Sequence, residues 1–170
     1  MLMDARDVVL LAGEEEIMER WESFDHPWVY NAEPFIWSPG SFEPDDYPPC
    51  DTPYRYLNAG VAIGEREHII GWFNSWTLPL YLPTGDQDWM AARYLDSYPA
   101  AIKLDSNCEL FQCLCGSMVG DDPYVTIERG KVYNRMTDTY PLVIHANGGS
   151  DITLPPFDTL WRQDVISNRS

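Results

Sequence analysis

The chain has 170 residues, enough for one domain with a sizeable core, and a composition that is 45% hydrophobic and 14% aromatic excludes a disordered polymer. A formal net charge of -16, from 27 acidic residues against two Lys and nine Arg, argues against a surface for nucleic acid or anionic membrane. No apolar run approaches the roughly 18 residues of a membrane span, and no secretory signal precedes Asp4.

In chain order the pattern alternates between strand-like and helical segments. Met1 to Met3 and Val8 to Leu11 read as short strands, and Glu14 to Trp21 as a helix with Ile17, Met18 and Trp21 on one side. The three leading glutamates suit a helix N-terminus. An apolar segment from Val29 to Trp37 runs into a Pro- and Gly-rich loop, Ser38 to Pro53, where ladder donors are missing and turns are forced. LNAGVAIG predicts a strand ending at Gly64, followed by a helix with Ile69, Ile70, Phe73 and Trp76 inward. GDQDWMAARYLD predicts a helix with Asp86 as N-cap. AAIKLD and CELFQCL read as strands. YVTIERGKVYN reads as a hairpin turning near Arg129-Gly130-Lys131, and PLVIHANGG as a buried strand ending in a glycine loop. The four cysteines, Cys50, Cys108, Cys113 and Cys115, lack zinc-ribbon spacing, and that spacing does not choose between disulfides and buried thiols.

Asp4 and Asp7 lie three apart at the end of an apolar strand, where open α/β sheets place ligands, and their oxygens suit Mn or Mg completed by a diphosphate. Such pairs are also common in solvated turns. His145 ends its own strand and is followed by Ala146-Asn147-Gly148-Gly149, whose glycines let backbone approach a ligand. One imidazole with two carboxylates favours Mn, because nitrogen is a borderline-soft donor. The alternative for His145 is a core histidine satisfied by a carbonyl.

The stretches MDARDVVLLAG, NAEPFIWSPG, RYLNAGVAIG, GDQDWMAARYLD, IKLDSNCELFQCL and PLVIHANGG resemble, in the same order, the glycosyltransferase domain of the procollagen lysyl hydroxylase family, and less closely the collagen galactosyltransferases. The resemblance runs from residue 3 to about 161 and leaves 162–170 as a tail, so residues 1–170 read as part of one such domain. It implies a GT-A-type α/β fold that binds a UDP-sugar, UDP-glucose or UDP-galactose, through Mn, and moves the hexose to hydroxylysine or galactosyl-hydroxylysine of a collagen-like polypeptide. It also implies the lumen of the endoplasmic reticulum, with which a sequon at Asn168-Arg169-Ser170 is compatible.

Carried over by resemblance, Asp4, Asp7 and His145 match the family's metal ligands. Trp37 matches the tryptophan beside its sugar-nucleotide pocket, although the motif here reads Phe35-Ile36-Trp37-Ser38-Pro39. Asp86, Gln87 and Asp88 fall where the family has an acidic run holding donor or acceptor, which makes Asp86 and Asp88 the candidate catalytic carboxylates and Gln87 a cofactor contact. Arg6 replaces a tyrosine and offers a guanidinium to phosphate. Asn58 with Gly60, and Asn147 with Gly148, stand as further donor-binding positions. The family is similar to retaining transferases, in which the acceptor hydroxyl attacks on the leaving-group face.

The family's domain has a nucleotide-binding half before this aspartate strand. Its absence here leads to the expectation that Met1-Leu2-Met3 is the stump of a central strand with an exposed apolar face. The chain then reads as an enzyme domain that needs that half, or as a non-catalytic fragment or degenerate copy keeping the metal site as a binding module. No hydroxylase domain is expected within it. Asp4, Asp7 and His145 are expected to meet in one coordination sphere.

Overall fold

The computed structural model describes residues 1–4, 6–37, 41–74, 85–115 and 124–148. The readings that involve Ser38, Pro39, Trp76, Gly149 and Asn168 fall outside them.

Among the described residues, nine strands and three α-helices are arranged as two sheets and a hairpin. The larger sheet has the order β1 (Leu2–Met3), β4 (Tyr56–Gly64), β3 (Trp28–Glu33), β5 (Lys103–Asp105). β4 runs antiparallel to both of its neighbours, while β3 and β5 are parallel. All six residues of β3 are buried, as its aromatic and β-branched half, Trp28-Val29-Tyr30, favours in a covered strand. A bulge between Tyr30 and Asn31 sets Asn31 opposite Asn58, and bulges of this kind re-aim side chains beside sites.

The smaller sheet has the order β2 (Val8–Leu10), β9 (Val143–His145), β6 (Phe111–Cys113), with β2 antiparallel and β6 parallel to β9. β7 (Val125–Glu128) and β8 (Lys131–Asn134) form the expected hairpin. Its two turn residues, Arg129 and Gly130, both have positive φ, 53° and 76°, the geometry that a two-residue turn between right-twisted strands demands.

Helix α1 (Glu14–Glu22) buries Ile17 and packs Met18 and Trp21 against the core. Helix α2 (Arg66–Asn74) forms where the apolar pattern places it, but its inward face is rotated. Ile69 and Trp72 pack on the core, whereas Ile70 and Phe73 are 49% and 41% exposed. The indole of Trp72 meets buried Trp28 edge-on at 4.5 Å and wins that face, leaving Phe73 to stack on Trp89 at 5.6 Å. Helix α3 (Asp86–Ser97) also departs from the reading at its start. Gly85, with φ 104°, is the N-cap, and Asp86 is the first helical residue, its Oδ1 accepting the Gln87 N–H. The apolar run from Val29 to Trp37 is not one element either. Pairing stops at Glu33, just before Pro34, and Phe35 and Trp37 stand 57% and 62% exposed.

Beyond β5 the chain turns back under the fully buried carboxylate of Asp105, which accepts the backbone N–H groups of Glu109, Leu110 and Phe111 at 2.9, 2.8 and 2.7 Å. β1 lies at the outer edge of its sheet, and Met1, Leu2 and Met3 are all exposed. All four cysteines are free thiols, with Cys108 and Cys113 fully buried. Among the described residues no helix is long and apolar enough to cross a membrane.

Candidate metal centre

Three strand ends converge where the two sheets meet. Asp4 follows β1 and is fixed by its N–H donating to the Gly60 carbonyl at 2.8 Å. Asp7 precedes β2 and is fixed by its carbonyl accepting the Ala146 N–H at 2.8 Å. His145 ends β9 opposite Val8. One ligand atom from each of Asp4, Asp7 and His145 lies within 4.8 Å of the others, so the expected convergence is found.

The details fit a divalent cation. Nε2 of His145 is buried without a hydrogen-bond partner, and it faces Asp4 Oδ2 at 3.5 Å and Asp7 Oδ1 at 3.6 Å. Those separations are long for hydrogen bonds but suit donors that share one ion at roughly 2.0–2.2 Å. Burial pushes the imidazole pKa down, against the opposing pull of Asp7 and Asp4, so the ring tends toward the neutral form that metals bind. The carboxylates remain partly exposed, which leaves room for a ligand from outside. Gly60 supplies the space. A Cβ built there would lie 2.2 Å from His145 Cε1, 2.7 Å from Nε2 and 2.8 Å from Asp4 Oδ2.

The other positions singled out in the sequence divide into outward and inward groups. Arg6 and Asp86 are exposed, and Trp37 presents most of its indole to solvent. Asn58, assigned above to the donor, turns inward, its Oδ1 lying 2.9 Å from His145 Nδ1 and accepting the Gly60 N–H at 3.0 Å. Gln87 is equally committed: its amide accepts the Ala59 N–H at 2.7 Å and donates to the Leu57 carbonyl, extending the backbone pairing of β4 beyond Gly60, where β1 ends. Asp88 is buried, its Oδ2 accepting from Ser41 Oγ at 3.1 Å while its Oδ1 has no hydrogen-bond partner. Asn147 accepts the Cys115 N–H and donates to Glu33 Oε2, both at 3.1 Å. Gly148, with φ 64°, sits where a Cβ would meet Cys115 Sγ at 2.4 Å.

Glu33 is the residue that the sequence reading missed. It is 3% exposed, and its pKa is raised to about 7 by burial, with Asn58 and Asn147 favouring the charged form. Its Oε1 has no hydrogen-bond partner. The available signal was a carboxylate closing a strand of large apolar groups, WVYNAE. Because the folded pKa lies above the unfolded value of 4.5, Glu33 contributes stability that is complete below about pH 4.5 and lost as pH rises through 7. Glu33→Gln should therefore raise the unfolding free energy at pH 8 by up to about 3 kcal/mol while changing it little at pH 4.5. Urea unfolding in EDTA at the two pH values checks this, and an equal effect at both would refute it.

Comparison with known proteins gives a consistent set of matches. Residues 1–165 match the model of a family described as the PLOD GT domain. The chain is 28% identical, over its whole length, to the uncharacterized protein R699 of Acanthamoeba polyphaga mimivirus, of which it covers 36%. It is 30% identical, over 96% of its length, to human procollagen-lysine,2-oxoglutarate 5-dioxygenase 2, of which it covers 23%. Against the human multifunctional procollagen lysine hydroxylase and glycosyltransferase LH3 the identity is 28%, over 91% of this chain and 21% of that protein. The chain thus spans between about a fifth and about a third of the length of these relatives.

Proposed function

We propose that this chain, which belongs to the PLOD GT domain family, is a Mn-dependent glycosyltransferase domain that moves a hexose from a UDP-sugar to hydroxylysine or galactosyl-hydroxylysine of a collagen-like polypeptide. Its mixed α/β fold is of the nucleotide-sugar transferase type. The observation that carries the proposal is the buried, unpartnered Nε2 of His145 aimed between two carboxylates.

Asp4, Asp7 and His145 would hold the ion, and their mixed oxygen and nitrogen donors suit Mn. When bound, the ion would neutralise charge that develops on a departing diphosphate. The chain's own contributions follow from exposure and charge. Arg6, next to Asp7 and exposed, offers a phosphate contact in a chain of net charge -16. Trp37 offers a solvent-facing aromatic ring for a sugar or acceptor to stack on. Asp86, exposed at the start of α3, is the better placed of the two helix carboxylates to meet a substrate hydroxyl. The reading also places the domain in the lumen of the endoplasmic reticulum or the secretory pathway.

Two measurements on the full chain test the proposal. Calorimetric titration with Mn is expected to show one site, abolished by His145→Ala. A UDP-release assay with UDP-glucose and UDP-galactose, with and without a collagen-like peptide bearing hydroxylysine, then asks for transfer. Release that needs both Mn and peptide supports the enzyme. Mn binding without any UDP-sugar binding supports a metal-retaining binding module, and failure to bind Mn removes the premise of both.

A further inference from the structure

We propose that Asn58 is a positioning residue that selects the tautomer of His145, leaving Nε2 as a bare lone pair between Asp4 and Asp7. The inference rests on the metal reading of the site, but its test in the metal-free chain is separate from that reading.

The argument begins with the orientation of the Asn58 amide, which is buried at 6% exposure. A backbone N–H, that of Gly60, points at one end of the amide at 3.0 Å. A backbone nitrogen only donates, so that end is the oxygen. The Gly60 N–H therefore fixes the orientation of the amide.

The same Oδ1 lies 2.9 Å from His145 Nδ1. Two acceptors at that distance would repel, so Nδ1 carries the proton and donates to Asn58. In the neutral ring Nε2 is then an acceptor, placed 3.5 and 3.6 Å from carboxylate oxygens that are also acceptors. Lone pairs from three groups converge with no proton among them, an arrangement that a divalent cation relieves. The other tautomer would direct Nε2–H at Asp4 or Asp7 across those longer distances and would leave Nδ1 facing Oδ1, lone pair to lone pair. Cys113 Sγ, on the Nδ1 side at 4.0 Å, is too far to replace Asn58 as a partner. Ordering of this kind by an outer hydrogen bond typically changes metal affinity by roughly 10–100-fold.

The test uses the chain labelled with nitrogen-15 histidine, in EDTA at pH 8. The chain has three histidines, and a His145→Gln spectrum identifies the signal. The wild-type ring is expected to show Nδ1 protonated and Nε2 unprotonated. Asn58→Ala should shift His145 toward the Nε2–H form and weaken Mn affinity roughly 10–100-fold. Asn58→Asp, which keeps an oxygen facing Nδ1 and Gly60, should restore the Nδ1–H form. A wild-type ring protonated on Nε2 overturns the proposal even if no variant folds. So does an Asn58→Ala chain with unchanged tautomer and unchanged Mn affinity. A wild-type chain with the expected tautomer that binds no Mn would count against the metal reading and leave the assignment to Asn58 supported.

Discussion

Gly60→Ala is expected to weaken metal binding severely, as Asp7→Ala does, although Gly60 offers no ligand atom. Its N–H is bonded to Asn58 and its carbonyl to the Asp4 N–H, while its open α-carbon face lies against the imidazole. A methyl group 2.2 Å from Cε1 and 2.7 Å from Nε2 cannot coexist with the ring where it stands. The ring has little freedom to yield, because His145 is 3% exposed and held at Nδ1. Relief must come from moving the imidazole or Asp4, and either movement breaks the common distance to an ion. A loss of roughly 100-fold or more in Mn affinity follows, with a stability cost of about 1–3 kcal/mol for overpacking. Calorimetry with Mn and urea unfolding in EDTA separate the two effects. Retention of wild-type affinity by a folded Gly60→Ala chain would show that the three ligand groups do not act together as described.

Asp105→Ala should be strongly destabilising although it lies away from the metal centre. Three backbone donors end on this one carboxylate, and two of them, from Leu110 and Phe111, belong to buried residues. Removing the acceptor leaves them unsatisfied at about 1–3 kcal/mol each, so a loss of about 3–5 kcal/mol is expected. Asp105→Asn keeps one oxygen and should lose less than half as much. The pH dependence carries a sign that identifies the carboxyl. Burial raises the Asp105 pKa from 3.8 to about 6, so its stabilisation is greatest at low pH and declines as pH rises through 6. The gap between wild type and Asp105→Ala should accordingly widen as pH falls from about 6 toward 4. A gap that narrows over that range would mean that Asp105 is held by its three donors more strongly than it is penalised by burial.

Much of this fold is visible in periodicity and turn chemistry. The alternation of strands and helices, the Arg129-Gly130 turn and the strand-end positions of Asp4, Asp7 and His145 all follow from local rules. What the sequence does not show shares one cause, which is that neighbours distant in sequence decide what a side chain does. Whether Trp72 or Phe73 faces inward depends on the position of Trp28, and no property of α2 contains that information. Asn58, beside Gly60 in its strand, and Gln87, by resemblance, read as donor contacts, and their inward hydrogen bonds are not legible in the sequence. The structure gives one to a histidine from the far end of the chain and the other to the backbone of β4. Glu33 carried too weak a local signal, since the pressure on its pKa comes from burial by elements that are far apart in sequence.

The pairing of β2 with β9 and of β9 with β6 also bears on the order in which the molecule is completed. Val8 meets His145, and His145 meets Cys113, so the smaller sheet closes only after nearly all the described chain has been made. Such a topology has a high contact order and folds slowly, because a large loop must be closed before any of its contacts is rewarded. During that interval the two aspartates are two ordinary carboxylates, without their histidine. An ion therefore cannot template early collapse. An ion held by the three groups would be a late clasp, binding the completed fold alone and drawing the equilibrium toward it by mass action. On the metal reading, the availability of that ion would then govern how much of the chain persists in its finished form.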